Sequence, residues 1–422
     1  MGNLIKSKIK LFFKDELVFH TTLVFIGTSV GGFFNLLYHL ISVRLLSSSD
    51  YGTFNTLISL IMFVSVVFSP LGATLTRFFT EYITREDFFL LKLVFKEFII
   101  GLSVVGLVVF ILSLIFSSFW AQFLNTLPLY ITICGGVIGL SLFSPLIVSL
   151  LQSLQKFGLL SFVSILSSFA KLAVGTLLMF MGGKILGGLS GFLVSPILLI
   201  IAGFFIAKNI FKKIKIREKE ITQVSLSAIY KYFFPVSLAM FSFTLLTNID
   251  VILVKHFFTS LETGYYSVAQ MIGKIILFLP SALAIVIFPK STRAYVENKH
   301  SYLFLYKSLM LAGVCCLGTT FLCFLFPETI LKILTSKSPS ASKELVGLFS
   351  LTMSFYALVW IIINFLLATH NLKFILPLVV VSLLESISIY FYHPTLKSVI
   401  QILLFFSMIT FLMLFFLSVR RK

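Results

Sequence analysis

Charge is scarce in this chain, and acidic charge scarcest of all. Of 422 residues, 11% are Asp, Glu, Lys or Arg, and only 15 are acidic. A soluble domain carries about 25% charged residues, so a water-soluble globular fold is excluded. Tryptophan occurs twice against 50 Phe, which leaves a lipid-facing surface to be built from Phe, Leu and Ile. The four cysteines, Cys134, Cys315, Cys316 and Cys323, fall inside apolar runs without metal-ligand spacing, the pattern of small buried residues. Histidines 20, 39, 256, 300, 370 and 393 are equally scattered. No P-loop, nucleophile elbow or carboxylate pair at catalytic spacing occurs. The expectation is a protein that is no enzyme, with no cofactor, no bound metal and no covalent chemistry on its substrate.

What is present is apolar sequence in long runs. Twelve of them can cross a hydrocarbon core about 30 Å thick, which takes roughly 20 residues each: 17–41, 53–76, 97–117, 129–151, 159–181, 185–207, 235–257, 264–288, 307–326, 345–368, 372–392 and 398–418. The division between the fifth and sixth rests on Gly182-Gly183-Lys184 alone. The first run lacks a small-residue cleavage site and reads as an uncleaved span. With these spans, 24 basic residues fall on one side of the membrane and 7 on the other. The positive-inside rule then puts both termini in the cytoplasm, as an even number of spans also requires. The net charge of +18 is thus a topology signal and gives no reason to expect nucleic acid.

Two lysines, Lys171 and Lys274, fall near the middle of apolar runs. A charge at the centre of a membrane helix costs roughly 2.5–3.5 kcal/mol on insertion scales. Keeping one in each half suggests use on something anionic that enters the membrane. Lys171 shares a helical face with Ser164, Ser168 and Gly175, and Lys274 one with Ser267, Gln270 and Ser281. The first span carries a third polar stripe, Thr28, Gly31, Asn35, His39 and Ser42. Such stripes face a cavity or another helix rather than lipid. Asp250 and Glu385 are also intramembrane. Each is either a site for a coupling ion, H+ or Na+, or the partner that keeps a lysine charged. Arg44 and Arg77 sit at span ends and are candidates to touch a substrate head group.

The connection 208–234 is basic and divides the spans six and six, giving bundles 1–207 and 235–422. The halves echo each other: Asp50-Tyr51-Gly52 and Ser69-Pro70 in the first, Glu262-Thr263-Gly264 and Leu279-Pro280 in the second, at an offset of about 210–212, followed by Arg77 and Arg293 at an offset of 216. Two six-span bundles in the same orientation are related by a pseudo-twofold along the membrane normal, the plan of transporters that rock one bundle against the other. Pro70, Pro145, Pro196, Pro280 and Pro377 lie within spans, where they kink helices or leave flex points.

The stretch from Asn248-Ile249-Asp250 through Thr263-Gly264-Tyr265-Tyr266-Ser267-Val268-Ala269 to Pro289 resembles the polysaccharide biosynthesis or O-antigen flippase family. That family belongs to the multidrug/oligosaccharidyl-lipid/polysaccharide exporter superfamily. Arg44-Leu45-Leu46 and Asp50-Tyr51-Gly52 match in the first half. The resemblance implies an all-α, MATE-like fold in the inner (cytoplasmic) membrane. It also implies flipping of a polyprenyl-pyrophosphate-linked oligosaccharide, an O-antigen, capsule or exopolysaccharide repeat unit, through a cationic polar cavity. Lys274, Lys171, Arg44, Arg77, Asn35, His39 and Gln270 are the candidate substrate-binding residues. Asp250 and Glu385 are candidates for coupling or charge pairing. The expected partners are the lipid-linked oligosaccharide, membrane lipids, a coupling ion and polysaccharide polymerase machinery.

Two other readings stay open. A membrane polymerase or ligase would need a substantial outer loop with polar catalytic residues, and the longest here is roughly 327–344. A drug antiporter of the same fold would rest on acidic residues for cationic drugs, whereas two lysines lie within these spans.

Overall fold

The computed structural model describes residues 16–213, 226–278, 302–335, 340–369 and 371–419. Pro280, Ser281, Pro289, Arg293, His300, His370 and the centre of the 208–234 connection lie outside them. Among the described residues every regular element is helical. Ten stretches are long and apolar enough to cross a membrane. One of them, 157–209, holds two helices, Phe157–Leu178 and Lys184–Lys213. The expected eighth span, 264–288, is described as far as Phe278. The chain is an all-α polytopic membrane protein of about twelve spans.

The Gly182-Gly183-Lys184 turn is where the fifth and sixth spans part. Gly182 takes φ 90°, a left-handed conformation that costs glycine nothing and a branched side chain a good deal. The second and fourth expected spans are broken where proline dictates. Helix Ser48–Ser65 gives way to a 3-10 turn at Val66–Phe68, and a new helix starts at Pro70. Helix Pro128–Ser141 likewise stops before a helix Ser144–Ser153, with Pro145 in its first turn. Proline lacks the amide proton a continuing helix needs, so it fits best in a first turn, and inside a membrane helix it is accommodated by a kink or by neighbouring helices. Pro196 stays inside helix Lys184–Lys213, and Pro235 inside helix Leu226–Phe257.

The duplicated acidic residue has a local physical purpose. Ser47 caps helix Ser48–Ser65, its hydroxyl accepting from the Asp50 amide at 3.0 Å and donating to the Asp50 carboxylate at 2.8 Å. Thr259 does the same before helix Ser260–Phe278, accepting from the Glu262 amide at 3.3 Å while Glu262 accepts from the Thr259 amide at 3.0 Å. The Thr259–Glu262 pair is a capping box and the Ser47–Asp50 pair a hydroxyl N-cap, and in both a side chain satisfies an amide the helix leaves orphaned.

Packing separates two compact units, one of residues 1–42, 68–118 and 128–233, the other of residues 43–67, 119–127 and 234–422. Helix Ser48–Ser65 therefore packs with the second half, although it belongs to the first in sequence. In the first unit, helix Phe157–Leu178 lies against helix Glu16–Leu45 through small residues. A Cβ on Gly27 would meet Ser161, one on Gly31 would meet Ser168, and one on Gly175 would sit 2.6 Å from the Tyr38 ring. Gly106 and Gly139 bring two further helices together in the same way. Without a hydrophobic drive between helices in lipid, small residues at the crossing supply close van der Waals packing. In the second unit, helix Ser340–Ala368 forms the centre, with Phe349, Met353, Tyr356, Ile361 and Ile362 fully buried. Gly273 packs onto Phe349 and Met353, and Gly347 onto Phe324.

Candidate functional site

In the first unit the close approach of three helices encloses Lys171. Its ammonium donates to the Asn35 amide oxygen at 2.8 Å. It also lies 3.7 Å from the centroid of the Phe192 ring and 5.0 Å from that of Tyr38. Ring faces carry partial negative charge, and a desolvated cation over one gains on the order of 2 kcal/mol. The Tyr38 hydroxyl is tied to the Gly188 carbonyl, which fixes the ring under the lysine. Gly191, beside the Lys171 carbonyl and the Tyr38 hydroxyl, leaves room for this approach. Asn35 is held in turn, its amide nitrogen donating to the Gly31 carbonyl at 2.9 Å. His39 packs beside the Tyr38 ring, centroids 6.2 Å apart. The Lys171 stripe thus faces the polar stripe of the first span.

The second unit carries an analogous pair. Lys274 donates to the Asn248 amide oxygen at 2.9 Å. Asn248 is anchored by donation to the Thr244 carbonyl at 3.1 Å and the Thr247 hydroxyl at 3.0 Å. No ion pair among the described residues joins Lys171 or Lys274 to a carboxylate. Asp250 lies within electrostatic range of Lys274, but both its oxygens are engaged elsewhere. Gln270 donates to them at 2.9 and 2.8 Å, and the Tyr266 hydroxyl donates at 2.9 Å. The Gln270 carbonyl in turn accepts from Asn55 at 2.9 Å. Gln270 and Asp250 are completely buried, so this chain of bonds is sealed within the unit.

Glu385 is also completely buried. One of its oxygens accepts from the Tyr356 hydroxyl, and the other has no hydrogen-bond partner among the described residues. It interacts electrostatically with Asp250. The two acids and their phenol partners Tyr266 and Tyr356 come from four helices of the second unit. No cluster of His, Cys, Asp and Glu suited to a metal ion occurs among the described residues.

Among the candidates, the structure joins Asn35 with Lys171, and Gln270 with Asp250. His39 borders the first pair through Tyr38. Arg44 is directed elsewhere, donating to the Ile333 carbonyl at 2.6 Å and the Leu334 carbonyl at 3.4 Å, where it satisfies the last turn of helix Pro327–Thr335. Arg77 is exposed on helix Pro70–Thr84. Sequence reasoning did not single out Asn248, Tyr38, Phe192, Asn55 or Tyr356. Asn248 alone had a usable signal, since it stands 213 positions after Asn35, close to the offset of the duplicated motifs.

Comparison with known proteins places this arrangement in a fold. The structure is similar to that of lipid II flippase MurJ in an inward closed conformation, with TM-score 0.73, 17% identity, and coverage of 94% of this chain and 87% of that one. It is similar to an inward-facing multidrug resistance MATE family transporter of the MOP superfamily, with TM-score 0.69, 14% identity, and coverage of 93% and 97%. A MOP superfamily transporter from Pyrococcus furiosus, described as having a binding pocket of reverse polarity, matches with TM-score 0.65, 14% identity, and coverage of 94% and 93%. A search of curated proteins by sequence gives no match. The sequence pattern of one family, described as polysaccharide biosynthesis protein, matches residues 18–295. That match spans well over half of the sequence, and the chain belongs to the polysaccharide biosynthesis protein family.

Proposed function

We propose that this protein is a flippase, moving a polyprenyl-pyrophosphate-linked oligosaccharide from the cytoplasmic to the outer leaflet of the inner membrane by alternating access, with both termini cytoplasmic. The cargo class is a repeat unit of O-antigen, capsule or exopolysaccharide. One observation carries the reading: each unit keeps a membrane-embedded lysine, Lys171 or Lys274, bonded to a neutral amide and not to a carboxylate. A pyrophosphate cannot cross hydrocarbon bare, because desolvating its charge costs far more than one contact returns. Fixed ammonium groups offset that cost, while amide partners leave their positive charge uncompensated. Membership of the polysaccharide biosynthesis protein family supports a saccharide cargo.

Asp250 and Glu385 belong to the same reading as the coupling element. Ionisable residues within membrane spans mark proton and ion pathways, and a buried carboxylate is stabilised by taking up a cation, H+ or Na+. Asp250 lies within electrostatic range of Lys274, so the ion site and the cargo site can influence each other in the second unit. Polysaccharide polymerase machinery is the consumer of the flipped product.

The test is reconstitution. In vesicles, the protein should move a pyrophosphate-linked glycolipid between leaflets, and Lys171→Ala should slow that movement by at least about tenfold, the loss of one charge-assisted contact. Equal rates for Lys171→Ala and the natural chain, or equal transport of an uncharged glycolipid, would contradict the reading.

A further inference from the structure

Asn35 and Asn248 lie on the first helix of each half, 213 positions apart, one more than the 212 between Asp50 and Glu262. They are also built alike. Each amide nitrogen donates to the carbonyl four residues earlier in its own helix, Gly31 at 2.9 Å and Thr244 at 3.1 Å. That bond settles which way the amide faces. The oxygen is left pointing outward from the helix, and in both units a lysine ammonium has found it. The lysines themselves do not correspond. Lys171 comes from helix Phe157–Leu178 and Lys274 from helix Ser260–Phe278, and they stand 103 positions apart. What the duplication shares is the asparagine, and each half supplies its cation from a different helix.

From this we infer that Asn35 and Asn248 are positioning and specificity-determining residues, whose amides hold each lysine in a fixed place while leaving its charge available to an anion. An asparagine oxygen accepts one hydrogen bond from an ammonium that has three protons to give, so two remain for a phosphoryl oxygen. A carboxylate in the same position would hold the lysine as well, and it would cancel the charge that an anionic cargo needs. Neutral partners thus select for anions, and in the second unit the carboxylate of Asp250, within electrostatic range of Lys274, forms its hydrogen bonds with Gln270 and Tyr266 instead. This inference rests on the flippase reading and adds to it the device that sets the sign of the cargo.

The experiment measures binding of inorganic pyrophosphate to the purified full chain by calorimetry, with thermal unfolding recorded in parallel. Asn248→Asp should weaken binding on the order of a hundredfold by forming a competing ion pair, while unfolding temperature stays the same or rises. Asn248→Ala should weaken it by about tenfold, through lost positioning alone. Asn35→Asp and Asn35→Ala should repeat the pattern in the first unit, and they serve as the test if an Asn248 variant does not fold. Binding by both Asp variants as tight as that of the natural chain would overturn the inference. So would equal losses in the Asp and Ala variants, which would mark the asparagines as structural only. If Lys171→Ala and Lys274→Ala also bind pyrophosphate normally, or the natural chain does not bind it, the flippase reading fails as well.

Discussion

Gly52 and Gly264 hold corresponding places in the two halves of the sequence and lie directly against each other in the fold. A Cβ on Gly52 would sit 2.6 Å from the Gly264 amide nitrogen, and one on Gly264 would sit 2.0 Å from the Ser48 carbonyl oxygen. The duplicated acid–x–Gly motif is therefore architecture: a hydroxyl N-cap bonded to the acid starts each helix, and the glycine lets the two helices cross at backbone distance. Gly264→Ala should destabilise the protein by about 1–3 kcal/mol, the usual cost of overpacking, read as a lower unfolding temperature in detergent. Gly32→Ala, where a Cβ meets nothing within 4 Å, is the control and should leave stability unchanged or raise it by up to about 1 kcal/mol.

The Asn55–Gln270–Asp250 chain should behave as one unit. Gln270→Leu strands Asn55 and removes two donors from Asp250, and each buried polar group left unsatisfied costs about 1–3 kcal/mol. Adding Asn55→Leu to Gln270→Leu should then recover part of the loss, because the stranded amide is gone. Strict additivity of the two changes in an unfolding measurement would show that the residues act independently.

How much of this was legible in the sequence differs by feature. Spans were legible because length and hydropathy alone specify them, and the 182–184 turn because glycine punctuates helices. The breaks before Pro70 and Pro145 were visible as prolines, yet whether a proline kinks a span or restarts it depends on the packing around it. The grouping of helix Ser48–Ser65 with the second half was not legible, since chain order carries no information about which neighbours a span chooses. Lys171 and Lys274 announced themselves by their cost in lipid. Their ring partners Tyr38 and Phe192 did not, being two aromatics among many with no spacing rule linking them to a lysine on another helix. Tyr356 was silent for the same reason. Asn248 was hidden only by being read as part of a family motif instead of as the counterpart of Asn35.

Coupling has a direct test. If Asp250 or Glu385 exchanges the driving ion, Asp250→Asn or Glu385→Gln should abolish ion-dependent transport while ligand binding stays largely intact. Tyr356→Phe, which removes the phenol bonded to Glu385, should shift the pH dependence of transport without abolishing it. Transport that keeps its full ion dependence in both carboxylate variants would exclude these acids as the coupling site.

Topology follows from the distribution of positive charge. Reporter fusions within Pro327–Thr335 should report the outer face, and fusions just after Lys213 the cytoplasm. A cytoplasmic signal from Pro327–Thr335 would overturn the twelve-span arrangement and, with it, the direction of transport.

The central claim is that membrane-embedded positive charge carries the cargo's pyrophosphate, and Lys274 is where it is most exposed to test. In cells whose surface glycan depends on this protein, Lys274→Ala should stop glycan export with protein levels unchanged, and Lys274→Arg should keep part of it, since charge is retained while geometry changes. Normal glycan export by a well-expressed Lys274→Ala protein would contradict the account.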